Sequence, residues 1–248
     1  MEQITSNQNS KVKLYQKLKK KRERDKHGLA ILEGYHLIEE AYNNALKIEH
    51  LFILDIHRVD EAIIHASDHV YEINMKVAET LAGTVTPQGI FAIIKKPDPQ
   101  VMDVRQVLIL DRVQDPGNVG TLIRTADAAG LDAVVISKGT ADVYSDKVLR
   151  ASQGSVFHIP IVVVEDILSF IDQFEGPVFG TSLHEAVSYH DIEKQQNTFA
   201  LVLGNEGEGI NEYILEATTQ NITIPIYGRA ESLNVAIAAG ILMFHLKG

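Results

Sequence analysis

The chain has 248 residues, 45% of them apolar, no cysteine and a net charge of −10. That length and apolar content suffice for two packed domains, and the lack of thiols excludes disulfides and thiolate metal sites, which fits a reducing compartment. The polar start MEQITSNQNSK has no apolar core of the secretory kind, and the longest apolar run, 235–244, is short of the about 20 residues that span a bilayer, so a soluble cytoplasmic protein without membrane contact is expected.

The acidic total hides a basic start. Residues 1–30 hold nine Lys/Arg against three acids, a local +6, and the remainder carries −16. The centre of that cluster is Lys19, Lys20, Lys21 and Arg22. It reads either as a solvated helix face or as an arm that meets a polyanion first.

The first predicted element is a helix over NSKVKLYQKLKKKRER, with Val12, Leu14, Tyr15 and Leu18 inward and Asn9 or Ser10 as its cap. LAILEG is a short buried strand. YHLIEEAYNNAL is an amphipathic helix with Leu37, Ile38, Ala41 and Leu46 facing in. HLFIL and HVYEI are strands, NMKVAETLAG a helix and GIFAIIKK a further strand. Residues 1–95 thus make a small α/β sandwich. KKPDPQ follows, and its two prolines block both helix and central strand. A linker over 96–104 is expected there.

The second domain, 105–248, opens with VLILD, a continuous apolar run suited to a strand buried on both faces. Helix GNVGTLIRTADAAG and strand DAVVIS come next. IPIVVV, PVFGTS, FALVLG and NITIPI are strands, with helices near 165–174, 211–217 and 233–246. Such alternation predicts a parallel sheet with helical crossovers.

DPGNVGTLIRTADAAG, at 115–130, places glycines where a strand gives way to a helix. It has neither the lysine of a Walker loop nor the GxGxxG of a dinucleotide fold, although backbone N–H groups at a helix start can hold an anion. Asn118 and Arg124 are its notable polar residues, and alone Arg124 reads as a solvent-facing side chain. Two other stretches change that balance. LVLGNEGEGI, 201–210, runs from a strand into a turn bearing Glu206. IPIYGRAESLNVAIAAGILMF, 224–244, has Ser232 and Asn234 opening a helix. Ligands of open α/β sheets bind outside the carboxyl ends of strands, where these groups can converge. His65 and His69 are four apart but lack the acid of a zinc motif, so no metal is expected.

Together the three stretches resemble, in order and spacing, the three motifs of the SpoU (TrmH-type) RNA ribose 2′-O-methyltransferases of the SPOUT class. The resemblance covers about 106–246. SDKVLRASQGS, 145–155, is similar to the segment between motifs one and two. AILEGYHLIEEA is similar to the L30e-type RNA-binding domain that many members carry. The resemblance implies a C-terminal parallel-sheet α/β domain tied in a deep trefoil knot, an L30e-like substrate-binding domain, bound S-adenosylmethionine and a homodimer.

It also implies roles. Arg124 positions the RNA phosphate and hydroxyl, since a group with a pKa above about 12 is an awkward base. Asn118, Glu206, Ser232 and Asn234 orient Arg124 and the target ribose. Gly204, Ile224 and Leu233 hold the cofactor largely through backbone groups, and Thr181 borders the pocket. The helix near 233–246 is apolar all round, which a subunit interface would bury, with Ala236, Ala238, Ala239 and Gly240 allowing close approach. Lys19, Lys20, Lys21 and Arg22 would bind RNA phosphates. Ribosomal RNA is favoured over transfer RNA as substrate. The alternatives are a catalytically silent RNA-binding protein on the same fold, a tRNA-directed methyltransferase, and a nucleotide-dependent oxidoreductase, the last disfavoured by the missing fingerprint.

Overall fold

A computed structural model describes residues 1–83, 86–98, 103–183, 185–195 and 197–248. Its packing divides the chain into two units, Met1–Asp98 with Tyr144–Phe157, and Pro99–Val143 with His158–Gly248. The expected linker, 96–104, falls partly outside the described residues, at 99–102. One segment departs from the expected division: Tyr144–Phe157 lies within 105–248 along the chain, yet it packs with the first unit.

The first unit runs β1 (Glu2–Ile4), α1 (Ser10–Leu18), α2 (Lys21–His27), β2 (Leu29–Glu33), α3 (Tyr35–Asn43), β3 (Ile48–Ile53), α4 (Glu61–Ala66), β4 (His69–Ile73), α5 (Met75–Leu81) and β5 (Ile90–Lys95). The strands form one mixed sheet in the order β1-β4-β3-β5-β2. β5 is antiparallel to both β2 and β3, and β4 is parallel to both β1 and β3. Tyr15, fully enclosed, meets Phe52 and Phe91 edge-on at 6.0 and 5.9 Å, a favoured aromatic geometry. Asn9 caps α1 by accepting from the Lys11 N–H.

The single helix expected over 9–24 is in fact two. Lys20 adopts an extended backbone between α1 and α2, and buried Arg24 donates to the carbonyls of Leu18 and Lys19 at 2.7 and 2.9 Å. Those carbonyls end α1 and would otherwise lack partners. The basic stretch is therefore a folded corner rather than a free arm, and one of its cations works inside the fold. α3 likewise ends at Asn43, so Leu46 lies beyond it.

The second unit runs β6 (Gln106–Leu110), α6 (Pro116–Ala128) and β7 (Ala133–Ser137). The chain then supplies α7 (Asp146–Ser152) to the first unit. It resumes with β8 (Ile161–Val164), α8 (Ile167–Gln173), β9 (Val178–Thr181), β10 (Val187–Ser188), β11 (Phe199–Leu203), α9 (Glu212–Ala217), β12 (Gln220–Thr223) and α10 (Val235–Lys247). The sheet is parallel throughout, in the order β10-β12-β9-β11-β6-β7-β8. Its central strands β6 and β11 are buried at every position, which is why they read as unbroken apolar runs rather than alternating ones. The short edge strands β1 and β10 carry no such signal in the sequence.

α10 packs along α6. It is apolar all round but not buried all round: Ala236, Ala239, Leu242, Met243 and Leu246 are enclosed, while Ile237, Ile241 and Phe244 face out at 57%, 37% and 55% exposure. Among the described residues no helix is long and apolar enough to cross a membrane.

Candidate active site

α6 begins one residue earlier than the expected GNVGTLIRTADAAG helix. Asp115 is its cap, accepting from the Asn118 N–H at 2.8 Å, and Pro116 opens it. Proline suits that place because its missing N–H would be unpaired there anyway. Gly117 and Gly120 are therefore helical residues, not a loop that cradles phosphate. The cap also holds Asn118 in the first turn with its side chain free for longer contacts.

Those contacts join all three motif stretches. Asn118 Nδ2 donates to Glu206 Oε1 at 3.0 Å, and Asn118 Oδ1 accepts from Asn234 Nδ2 at 2.9 Å. Glu206 also accepts from the Gln114 and Asp115 N–H groups, each at 3.0 Å. Asn234 Oδ1 caps α10 by accepting from Ala236 and Ile237. The helix cap is thus Asn234 and not Ser232. An asparagine is needed because it both accepts at the cap and donates across the site. Burial alone would raise the Glu206 carboxyl, but hydrogen bonds from Asn118 and the two backbone N–H groups outweigh it and hold the group below its usual range.

Arg124 and Ser232 stand outside this network. Both are exposed, and among the described residues neither side chain makes a hydrogen bond or ion pair. An exposed guanidinium without a protein partner keeps its planar donor fork for an anion or a polar ligand.

A second set of contacts, not foreseen, sets the turn that carries Glu206. Buried Asp111 accepts from Arg112 and from the Asn211 N–H. Arg112 donates to Glu208 at 2.7 Å, and Asn205 Nδ2 donates to the Arg112 carbonyl. Asn205 Oδ1 collects the N–H groups of Gly207 and Glu208. The signal was available: DR directly after VLIL puts a charged pair at a strand end beside the motif.

The candidate cofactor residues occupy neighbouring strand ends, since β12, β9 and β11 are consecutive in the sheet. Thr181 ends β9 and donates to the Val202 carbonyl at 3.3 Å. Gly204 follows β11 and Ile224 follows β12. Half-exposed Leu233 precedes the α10 cap. Backbone groups beside apolar side chains suit a ligand with a flat heterocycle and polar rim. Gly204 has a further reason to be glycine: an added Cβ would lie 2.2 Å from the backbone of Gly209 and Ile210. The turn itself demands it. The basic residues lie elsewhere. Lys20, Lys21 and Arg22 are exposed, and Lys19 donates to the Ala82 carbonyl.

Residues 105–244 match the SpoU rRNA Methylase family, and residues 9–92 match the MRM3-like substrate binding domain. The chain is 44% identical, over the whole of both chains, to the 23S rRNA (guanosine(2553)-2′-O)-methyltransferase RlmP of Bacillus subtilis. An AdoMet-bound rRNA methyltransferase from Sinorhizobium meliloti superimposes with a TM-score of 0.88 at 33% identity, over 99% of this chain and 97% of that one. The SpoU methyltransferase AviRb from Streptomyces viridochromogenes, in complex with AdoMet, shares the fold with a TM-score of 0.85 at 24% identity, over 96% and 97%.

Proposed function

The chain belongs to the SpoU rRNA Methylase family, and from that premise we infer that it transfers a methyl group from S-adenosylmethionine to a ribose 2′-hydroxyl of RNA, with ribosomal RNA of the large subunit as its substrate. The observation that carries this reading is the Asn234–Asn118–Glu206 chain, which ties three separated stretches into one polar site beside a free arginine. A purely structural sheet end has no need of an asparagine with every amide function engaged and an exposed guanidinium two turns away.

When bound, S-adenosylmethionine supplies the electrophilic methyl. The chain contributes placement. Thr181, Gly204, Ile224 and Leu233 offer the edge on which the cofactor rests. Arg124 takes the phosphate next to the target ribose and stabilises the oxygen as it loses its proton, a positioning role with a large share in catalysis. Asn118, Glu206 and Asn234 hold the start of α6, and with it Arg124, in register. Ser232, exposed at the same edge, faces the ribose.

The outward stripe of Ile237, Ile241 and Phe244 favours a homodimer through α10, because a monomer rarely leaves a row of large apolar side chains on one helix in water. Here the large residues would form the contact, and Ala236 and Ala239 serve the packing against α6. The family's trefoil knot is part of the same reading.

The deciding assay is transfer of labelled methyl from S-adenosylmethionine to an unmodified 23S rRNA transcript, followed by mapping of 2′-O-methyl positions. Transfer to a single ribose is expected. Transfer to tRNA alone would establish the tRNA-directed alternative, and RNA binding without transfer the silent one.

A further inference from the structure

The first unit has a pocket of about 260 Å³ that the reading above leaves without a task. It opens between the end of β2, the start of α3 and the end of α7. Gln88, His36, Gln153, Arg150, Glu33 and Leu37 line it. Both amides are fixed. Gln88 Oε1 accepts from the Tyr35 N–H at 3.1 Å, so its Nε2 donors face no hydrogen-bond partner among the described residues. Gln153 Nε2 donates to the Arg150 carbonyl at 2.7 Å, which leaves its Oε1 to accept. His36 Nε2 lies 3.1 Å from the Gln153 carbonyl and is thereby steadied. Leu37 supplies a buried apolar wall. The pocket therefore presents an oriented donor and an oriented acceptor beside an imidazole and a guanidinium.

Its charge separates two classes of occupant. Arg150 is already paired with Asp146 at 2.7 Å, and Glu33 stands in the wall. The site has no surplus positive charge, so a phosphate gains little there. A neutral, flat heterocycle with donors and acceptors on its edge gains most. Its size suits one such ring, being below the roughly 300–1,000 Å³ of pockets for drug-sized ligands. Unpaired bases of RNA are read in this way, by stacking on His or Arg planes and by hydrogen bonds to the base edge.

Phosphate-binding charge lies close by. Lys19 sits within the electrostatic reach of both Glu33 and Asp146, and the residue after its Ala82 partner, Gly83, donates to Glu33 at 2.7 Å. The exposed corner of Lys20, Lys21 and Arg22 continues from Lys19. Gln153 adds a separate sign. It holds a left-handed backbone, φ +51°, that glycine or asparagine adopts with less strain.

We propose that this pocket receives one unpaired nucleobase of the substrate RNA, read by Gln88 and Gln153, while the neighbouring Lys20, Lys21 and Arg22 hold the adjoining phosphates. The proposal rests on the RNA-directed function above and adds to it a specificity-determining site in the first unit.

The test compares Gln88→Glu with joint neutralisation of Lys20, Lys21 and Arg22 in the full chain, using an unmodified 23S rRNA transcript. Gln88→Glu keeps the oxygen that Tyr35 needs and turns the free donor into an acceptor. RNA affinity should fall by about 10-fold or more, the scale of one misread base contact. The slope of log affinity against log salt should stay as in the wild type, as should S-adenosylmethionine binding. Neutralising the corner should instead reduce that slope. His36→Ala, at an exposed position, serves as the second variant and should weaken binding without changing the slope. Unchanged RNA affinity in both Gln88→Glu and His36→Ala overturns the pocket, and a reduced slope in Gln88→Glu makes it a phosphate site and also overturns it. Failure of the wild-type protein to bind or methylate the transcript is a separate result, and it sinks the parent reading instead.

Discussion

Replacing Asn118 by Asp changes one atom in the site and reverses the sense of one bond. The new carboxylate would still accept from Asn234, but it would stand against the carboxylate of Glu206, where Asn118 Nδ2 now donates at 3.0 Å. With charge centres about 4 Å apart, the repulsion is about 1 kcal/mol in bulk water and about 4 kcal/mol near a protein surface. The lost hydrogen bond to a charged acceptor adds about 1.5 kcal/mol. Because Glu206 is exposed, the sum should stay near the low end, about 2–3 kcal/mol at pH 8. Asn118→Ala loses both bonds without adding charge and should cost about 1–3 kcal/mol.

The two variants separate in their dependence on pH. In the wild type the Glu206 carboxyl is depressed. Its contribution is present above the unfolded carboxylate range and is lost as pH falls through the lower folded value. In Asn118→Asp the paired carboxylates raise one folded pKa above its unfolded value. Stability is therefore regained as the solution is acidified from pH 8 towards 5, where one proton is shared and a donor is restored. Urea unfolding of wild type, Asn118→Asp and Asn118→Ala at pH 5 and pH 8 measures this. If Asn118→Asp runs parallel to Asn118→Ala across that range, Asn118 does not face Glu206 in solution and the network is not the organiser of the site.

Three further outcomes are expected. Gly204→Ala should destabilise the protein by about 3 kcal/mol or more, the upper end of overpacking costs, because the clash is with backbone, and denaturant unfolding should show that loss together with any loss of cofactor affinity; weakened cofactor binding at unchanged stability would point to direct contact instead. Arg124→Ala should shift stability by less than about 0.5 kcal/mol, since the side chain is exposed and has no partner among the described residues, and should lower single-turnover methyl transfer by about 10²-fold; transfer at the wild-type rate would remove Arg124 from the chemistry. Sedimentation of the wild type at micromolar concentration should give about twice 27.5 kDa for a closed two-fold dimer, and Phe244→Asp should shift it to monomer; a wild-type monomer would refute the α10 interface.

The sheet strands of the second unit were legible because β6 and β11 are buried on both faces, and past Gln106 at the start of β6 no polar residue blurs the run. Asn118, Glu206 and Asn234 were legible as a group because polar residues clustered at three strand ends have little use in folding alone. Their bonds were not legible. The partners lie 88 and 116 residues apart, and no local pattern encodes such pairing. The choice of Asn234 over Ser232 as cap turns on that distant partner as well. Arg24 misled for a similar reason: in sequence it is one more cation in a basic run, and only the break after α1 makes it a buried donor. Which face of α10 meets α6 was not legible, because a uniformly apolar helix carries no periodicity to tell its sides apart.

The loan of α7 to the first unit has a consequence for synthesis. The ribosome releases residues 1–98 with the β2 side of that unit unfinished, because Val148, Leu149 and the tight meeting of Gly154 with Glu40 come only after β6, α6 and β7 have emerged. At about 5–20 residues per second, closure waits several seconds while an apolar flank stays open. The two units cannot mature strictly one after the other. A fragment cut at the sequence boundary would never gain its last helix, so the first unit prepared alone should be sought as 1–98 with the 144–157 segment grafted on, not as a simple truncation.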